Sequence, residues 1–596
     1  MRIKWFSAVR VMGLLLVLTY HFFKQFFPGG FIGVDVFFTF SGYLITALLL
    51  DEYQTKQSFD LVSFLRRRFY RIVPPLVLMV LVTMPFTLLV SRDYLASIGQ
   101  QIMAAIGFTT NFYEQFIGAS YESQFYPHLF LHTWSLAIEV HFYVFWGVLV
   151  WFLSKRGWKA EQFRGAVFIS SVGLFLISFL SLFIRSFFVD NLSMLYFSTV
   201  SRAFPFFLGA IFATMSGIKE TTKRYRRNAK NWPLHYPLLG AIGSGLMLIL
   251  LGFTLNFDHL LTYLFGFILA SFFTAVMIYC CRVLSDRTPE AIAEPGLLTV
   301  LADISYGVYL FHWPFYTIFK QVSGNLVAVF LTLVFSILFS GLSFYIIEPS
   351  LQGKVPKIFD IELETQEYRK PFLITIGILS LLTLGLSVTA PKVGAFETGL
   401  LADSLNQAER NLNRTHTLLA GDAEAVTNVM VIGDSVALRA STALQSTLPD
   451  AQIDAAVSRN FTAAYEIFEN AIQTGTLSKT VVLAVGVNSL YNYEEDIQKF
   501  IDGLPDGYRL ILVSPYNTGD ARPVKARDYE LTLAKKYTYV TVADWYETAS
   551  DHPEIWAGTD GVHFSEEGGV GAQLYADTVN AAIKEASKKA AKGETE

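Results

Sequence analysis

The stretch Val429-Met430-Val431-Ile432-Gly433-Asp434-Ser435 reads as a buried strand that ends in a tight turn. Its apolar run suits a strand covered on both faces, and Gly-Asp-Ser directly after it is turn chemistry. The turn holds Ser435 at the carboxyl edge of the sheet, where α/β proteins build their sites, and makes it the candidate nucleophile. Outward from it, strands are predicted over Gln452 to Ala455, Thr480 to Val485, Leu510 to Val513 and Tyr539 to Val542. The intervening segments are long enough for crossover helices, so a three-layer α/β domain with a parallel sheet is expected over 427–585. The charged, Ala-rich end from Lys584 to Glu596 is expected to be a helix fraying into disorder.

Two further clusters complete an acyl-transfer site. Asp560-Gly561-Val562-His563 puts a carboxylate three residues before an imidazole. His563 then takes the proton of Ser435 while Asp560 fixes the ring's tautomer and stabilises the imidazolium. Attack on an ester creates an oxyanion that needs preorganised donors, and Gly486-Val487-Asn488 offers the Asn488 amide directly after a strand. Asp434 is read as a turn residue, because its side chain leaves the turn in a different direction from that of Ser435. Gly-Asp-Ser alone is a common turn; the order of all three clusters is what carries the reading.

Gly-Asp-Ser, then Gly-x-Asn, then Asp-x-x-His near the end resemble the SGNH (GDSL-like) hydrolase and transferase family. That resemblance implies an oxyanion hole made by the backbone N–H of Ser435, the Asn488 amide and a glycine after the second strand. The matching stretch here, Ala455 to Asn460, has no glycine, and the Ser458 N–H is expected to serve in its place.

Upstream the composition changes. The 596-residue chain is 53% hydrophobic and 16% charged, too apolar for a wholly soluble fold. Spans are predicted at about 8–23, 31–50, 74–90, 139–153, 166–189, 198–215, 238–255, 260–281, 301–320, 325–347 and 371–390, about 11 in all. The first is read as a retained helix, since no small-residue cleavage pattern follows it. Alternate loops hold 21 and 2 Lys and Arg residues. That asymmetry places the N-terminus inside and, with an odd number of spans, everything after residue 390 outside. The domains expected are thus a membrane domain over 1–350, a cytoplasmic loop and extra span over 351–390, an extracytoplasmic linker over 391–426, the α/β domain and a tail over 586–596. A net charge of −4 argues against nucleic acid as a partner. Adjacent Cys280 and Cys281 give neither a disulfide framework nor a thiolate metal site, so no metal is expected.

Arg10 and His21 share the first span, and at 100° per residue eleven positions bring them to one face about 16 Å apart along the axis. Ionisable groups in lipid face a bundle interior or pathway by default, and Asp35 and Glu139 are of the same kind. Arg10-x10-His21, the run Gly33 to Tyr43, Arg66-Arg67-Arg68 with Arg71-Ile72-Val73-Pro74, and Trp134 to Tyr143 resemble the acyltransferase-3 family of membrane O-acyltransferases. The resemblance implies acetyl-CoA as cytoplasmic donor, no bound cofactor, and acyl transfer at Arg10 and His21. Fused in this order, the two regions resemble bacterial peptidoglycan O-acetyltransferases, which implies glycan strands as acceptor, acetylated at the muramoyl C6 hydroxyl. Another exported glycan as acceptor, or a membrane-anchored acetylesterase, remains the alternative. The oligomeric state has no signature in the sequence.

Overall fold

The computed structural model describes residues 3–594 apart from 118–126, 190, 290, 359–360, 364–366, 420–427, 488–489, 491, 519–521, 557–558 and 566–568. The chain divides into two compact units, Met1–Lys392 and Val393–Glu596.

The first unit is helical. Its main helices are α1 (Phe6–Phe23), α2 (Gly33–Lys56), α3 (Leu61–Thr83), α4 (Thr133–Ser154), α5 (Ala160–Arg185), α6 (Phe204–Ser216), α7 (His235–Thr254), α8 (Phe267–Arg287), α9 (Gly296–Val322), α10 (Asn325–Leu342) and α11 (Arg369–Thr389). Each predicted span falls on one of them. Among the described residues nine, all but α6 and α9, are long and apolar enough to cross a membrane. The span predicted at 198–215 is broken into a turn of helix, Thr199–Arg202, and the 13-residue α6 with Pro205 at its start. The predicted loop over 51–73 is largely helix as well. Chain reversal takes only residues 57–60, Asp60 caps α3 by accepting from the Ser63 N–H, and the Arg66–Arg71 cluster is helical, ahead of Pro74 and Pro75.

The second unit opens with α12 (Ala395–Leu419) and contains five strands: β1 (Val429–Gly433), β2 (Gln452–Ala455), β3 (Thr480–Ala484), β4 (Arg509–Val513) and β5 (Val540–Ala543). They form one parallel sheet in the order β2-β1-β3-β4-β5, with Gly433 level with Ala455 on one side and Ala484 on the other. The predicted strands lie within a residue or two of these. One face packs on helices Phe461–Gln473, Tyr493–Gly503 and Arg522–Lys536 through Phe461, Phe468, Phe500 and Leu533. The other is covered by helices that include Ser441–Thr447 and Val570–Ala586. Each fully buried Phe contributes about 1.5–3 kcal/mol of transfer free energy.

Two expectations change here. The stretch assigned to a linker belongs in part to the α/β unit: on α12, Leu400 is buried and Gln407 bonds the edge strand β2 through Ala455 N–H and C=O. The tail is docked, not frayed. Lys592 Nζ donates to the carbonyls of Ile501, Asp502 and Leu504, satisfying orphan acceptors at a helix C-terminus, and Ala591 is buried.

Candidate functional site

Ser435 sits where β1 hands over to the short helix Ser435–Arg439. Gly433 is needed just before it, because a Cβ there would lie 2.3 Å from that of Ala437. Asp434 is the N-cap and accepts from the Val436 N–H at 2.9 Å, so it shapes the turn as expected. Burial pushes the Asp434 carboxyl upward, against the pull of the Val436 N–H and of nearby His563. Ser435, at the first helical position, has an N–H with no partner inside the helix, a donor for an oxyanion.

The structure brings Ser435, His563 and Asp560 together. His563 Nε2 lies 2.7 Å from Ser435 Oγ, and its Nδ1 lies 2.7 Å from Asp560 Oδ2. Asp560 Oδ1 accepts from the N–H groups of Val562 and His563 at 2.9 and 2.8 Å. The loop closes on itself through Gly561, which is left-handed at φ 79° and whose added Cβ would meet Thr518 Oγ1 at 1.9 Å. With a carboxylate facing Nδ1, that nitrogen carries the proton and Nε2 is left as acceptor for the serine proton. Ser435 and His563 are 2% and 1% exposed.

Ser458 lies in the turn after β2 in a left-handed conformation, φ 58°, which glycine adopts without penalty. Arg459 pins this turn to the sheet through Gly433 C=O and both the carbonyl and the carboxylate of Asp454. Asn488 lies outside the described residues.

In the membrane unit a cavity of about 140 Å³ is lined by Arg10, Arg68, Arg71, Ser41, Glu139 and Tyr143, among others. Glu139 accepts from Ser41 Oγ at 2.6 Å and from the Tyr143 hydroxyl. Arg71 pairs with Glu348 at 2.8 Å. Arg10 reaches the cavity across the face of Phe40. The wall also includes Tyr309, which leads to a second cluster.

That cluster is built on His21, and the sequence reasoning missed its partners. His21 Nδ1 lies 2.8 Å from His312 Nε2, with the rings stacked at 5.0 Å. His312 Nδ1 faces the Tyr309 carbonyl at 2.6 Å. A carbonyl only accepts, so His312 carries its proton on Nδ1 and its Nε2 receives the N–H of His21. Neutral His21 is thereby fixed as the tautomer with an unprotonated Nε2. His132 packs edge-on to His312, ring centroids 6.0 Å apart, and donates from Nε2 to Leu310 C=O at 2.9 Å. Leu310 is four residues before Pro314, whose missing N–H leaves that carbonyl without its helical partner. The signal was present in Phe311-His312-Trp313-Pro314, an imidazole in the middle of an apolar run.

Asp35 joins neither cluster. It pairs with Arg202 at 2.9 Å, both side chains wholly buried, in an ion pair between α2 and the segment before α6. Its expected part in acyl transfer is withdrawn, since the carboxylate is committed to neutralising a guanidinium in a site closed to water.

The acyltransferase-3 family model, an acyltransferase domain, matches residues 3–347. The chain belongs to the acyltransferase-3 family. It is an acyltransferase and a multi-pass membrane protein. A putative O-acetyltransferase of Staphylococcus aureus (strain MRSA252) is 28% identical over 591 residues, spanning 94% of each chain. O-acetyltransferase OatA of S. aureus (strain NCTC 8325 / PS 47) is 26% identical over 594 residues, covering 94% of this chain and 93% of that one. Among solved structures, the C-terminal catalytic domain of Streptococcus pneumoniae peptidoglycan O-acetyltransferase A, with a methylsulfonyl adduct, is 47% identical. It covers 28% of this chain and 99% of that chain, at a TM-score of 0.28.

Proposed function

We propose that this acyltransferase takes acetyl from cytoplasmic acetyl-CoA, carries it through the membrane unit by way of His21, and delivers it to Ser435 outside. From Ser435 the acetyl passes to peptidoglycan, at the muramoyl C6 hydroxyl. The observation that carries the reading is the Ser435–His563–Asp560 hydrogen-bond chain, with both links at 2.7 Å, in a chain that also holds an acyltransferase-3 unit. Peptidoglycan as acceptor draws on the name of the pneumococcal protein, and the orientation on the excess of Lys and Arg in alternate loops.

The chemistry divides into two halves. On the donor side, the Arg10, Arg68 and Arg71 guanidinium groups suit the phosphates of CoA, and the lone pair on His21 Nε2 suits an acyl acceptor or base. On the outer side, Ser435 Oγ attacks the incoming acyl carbon while its proton moves to His563 Nε2, and the leaving group takes that proton. A sugar hydroxyl then attacks the acetyl-serine. Its proton goes to His563, the new ester C–O bond forms on the sugar, and Ser435 Oγ leaves and recovers the proton. The N–H groups of Ser435 and Ser458 and the Asn488 amide are the oxyanion donors of this scheme.

Quantifying acetylated wall sugars in cells making wild type, His21→Ala, Ser435→Ala or no protein, at equal membrane levels, tests the scheme. Acetylation is lost in both variants. Unchanged acetylation in His21→Ala refutes its relay role, and higher acetylation without the protein makes the chain an anchored esterase.

A further inference from the structure

An acetyl-serine in this domain faces two acceptors, the sugar hydroxyl and water, and the covering of the site decides between them. Ser435 and His563 are nearly inaccessible, and part of the cover comes from α12, ahead of the sheet. The Phe396 ring stands on the His563 imidazole, centroids 5.1 Å apart and planes at 62°. Three contacts of α12 hold it there. Arg439, on the helix that begins at Ser435, lies over the face of Phe396 at 5.2 Å and pairs with Asp403 at 3.3 Å. Gln407 binds both backbone groups of Ala455, and Leu400 is buried.

We propose that α12 is a working part of the transferase site, with Phe396 a positioning residue that shields His563 and the acetyl-serine from water and so favours transfer over hydrolysis. The inference rests on Ser435 being the acyl carrier. A ring packed against the imidazole restricts its swing away from Ser435 Oγ and denies water a place beside Nε2, where it would be activated as the attacking nucleophile. Hydrolysis of the acetyl-serine releases acetate and returns the proton to Ser435 Oγ; transfer makes the sugar ester by the same proton route.

The test uses the full-length protein in detergent, 4-nitrophenyl acetate as donor and an oligosaccharide of alternating β-1,4-linked N-acetylglucosamine and N-acetylmuramic acid as acceptor. Acetylated oligosaccharide and free acetate are both quantified. Phe396→Ala is expected to lower the ratio of transfer to hydrolysis about tenfold, as loss of water exclusion exposes a reactive intermediate. Phe396→Tyr restores the ratio. Asp403→Ala, which loosens α12 without touching the ring, shifts it in the same direction. An unchanged ratio in Phe396→Ala, or a parallel fall of both products in Phe396→Ala and Asp403→Ala, overturns the proposal. Ser435→Ala run alongside loses both products. If instead it keeps them, the acyl carrier has been misassigned, and with it the proposal.

Discussion

Replacing Asp560 by Asn separates the chemical role of this carboxylate from its structural one. Asp560 Oδ1 holds two backbone N–H groups of its own loop and Oδ2 holds His563 Nδ1. Asn has one oxygen to offer. Turned to Oδ1 it keeps both backbone bonds; turned to Nδ1 it sets its NH2 against two N–H donors and forfeits about 1 kcal/mol or more for each. The first orientation wins by about 2–3 kcal/mol. The amide NH2 then faces Nδ1, which accepts only by giving up its proton, so His563 takes the tautomer with N–H at Nε2, pointing at Ser435. That ring cannot receive the serine proton. The expected loss in kcat is about 10⁴-fold, or ~5.5 kcal/mol of barrier, with thermal stability within about 1 kcal/mol of wild type. Asp560→Ala loses the same activity and also the loop's bonds, lowering Tm. Ester turnover and thermal unfolding of the full-length variants are the measurements. More than a tenth of wild-type kcat in Asp560→Asn, at unchanged Tm, refutes the role assigned to Asp560.

Three further expectations concern single residues. Glu530, 2% exposed and beside Asp544, has its carboxyl pushed up to about 8 from 4.5, chiefly by burial. The folded chain keeps this proton up to pH 8 while the unfolded chain releases it above 4.5. Its contribution is therefore full below 4.5 and drains away at up to about 1.4 kcal/mol per pH unit as pH rises to 8. Glu530→Gln flattens that slope in unfolding measured from pH 5 to 9, and an unchanged slope refutes it. Ser458→Gly keeps the backbone donor and relieves a left-handed side chain, so ester turnover is retained and stability rises by about 1 kcal/mol; lost turnover assigns the work to the hydroxyl. His312→Ala removes the acceptor that fixes the His21 tautomer and lowers wall acetylation as much as His21→Ala does. The double variant is no worse than either, since the pair acts as a unit, and additive losses disprove the coupling.

What the sequence revealed was whatever is encoded locally. All five strands of the sheet were read from short segments of apolar or alternating residues, four to six long, and the triad from two short motifs whose geometry is fixed by a turn and a three-residue loop. The main helices of the membrane unit followed from apolar runs, although the run at 198–215 is broken ahead of Pro205. What escaped depends on distant partners. His21 was singled out, but the ring that sets its tautomer is 291 residues away. Asp35 carries the same intramembrane signal as Glu139, and only the fold shows one neutralised by Arg202 and the other lining a cavity. Composition misread α12 and the C-terminal tail, because polar helices with charged ends look like linkers until their side chains are seen bonding a strand edge or capping a helix.

The Asp35–Arg202 pair also bears on how the protein is made. An unpaired Asp or Arg costs up to about 2.5–3.5 kcal/mol in an inserted helix, less toward its ends, and these two lie 167 positions apart. When α2 leaves the ribosome its counter-charge has not been synthesised. The early helices must therefore wait, near the translocation machinery or with Asp35 protonated, until Arg202 arrives and a neutral pair settles into the bundle. A substitution at either residue is therefore expected to act on biogenesis, read as a lower level of the protein in the membrane than wild type.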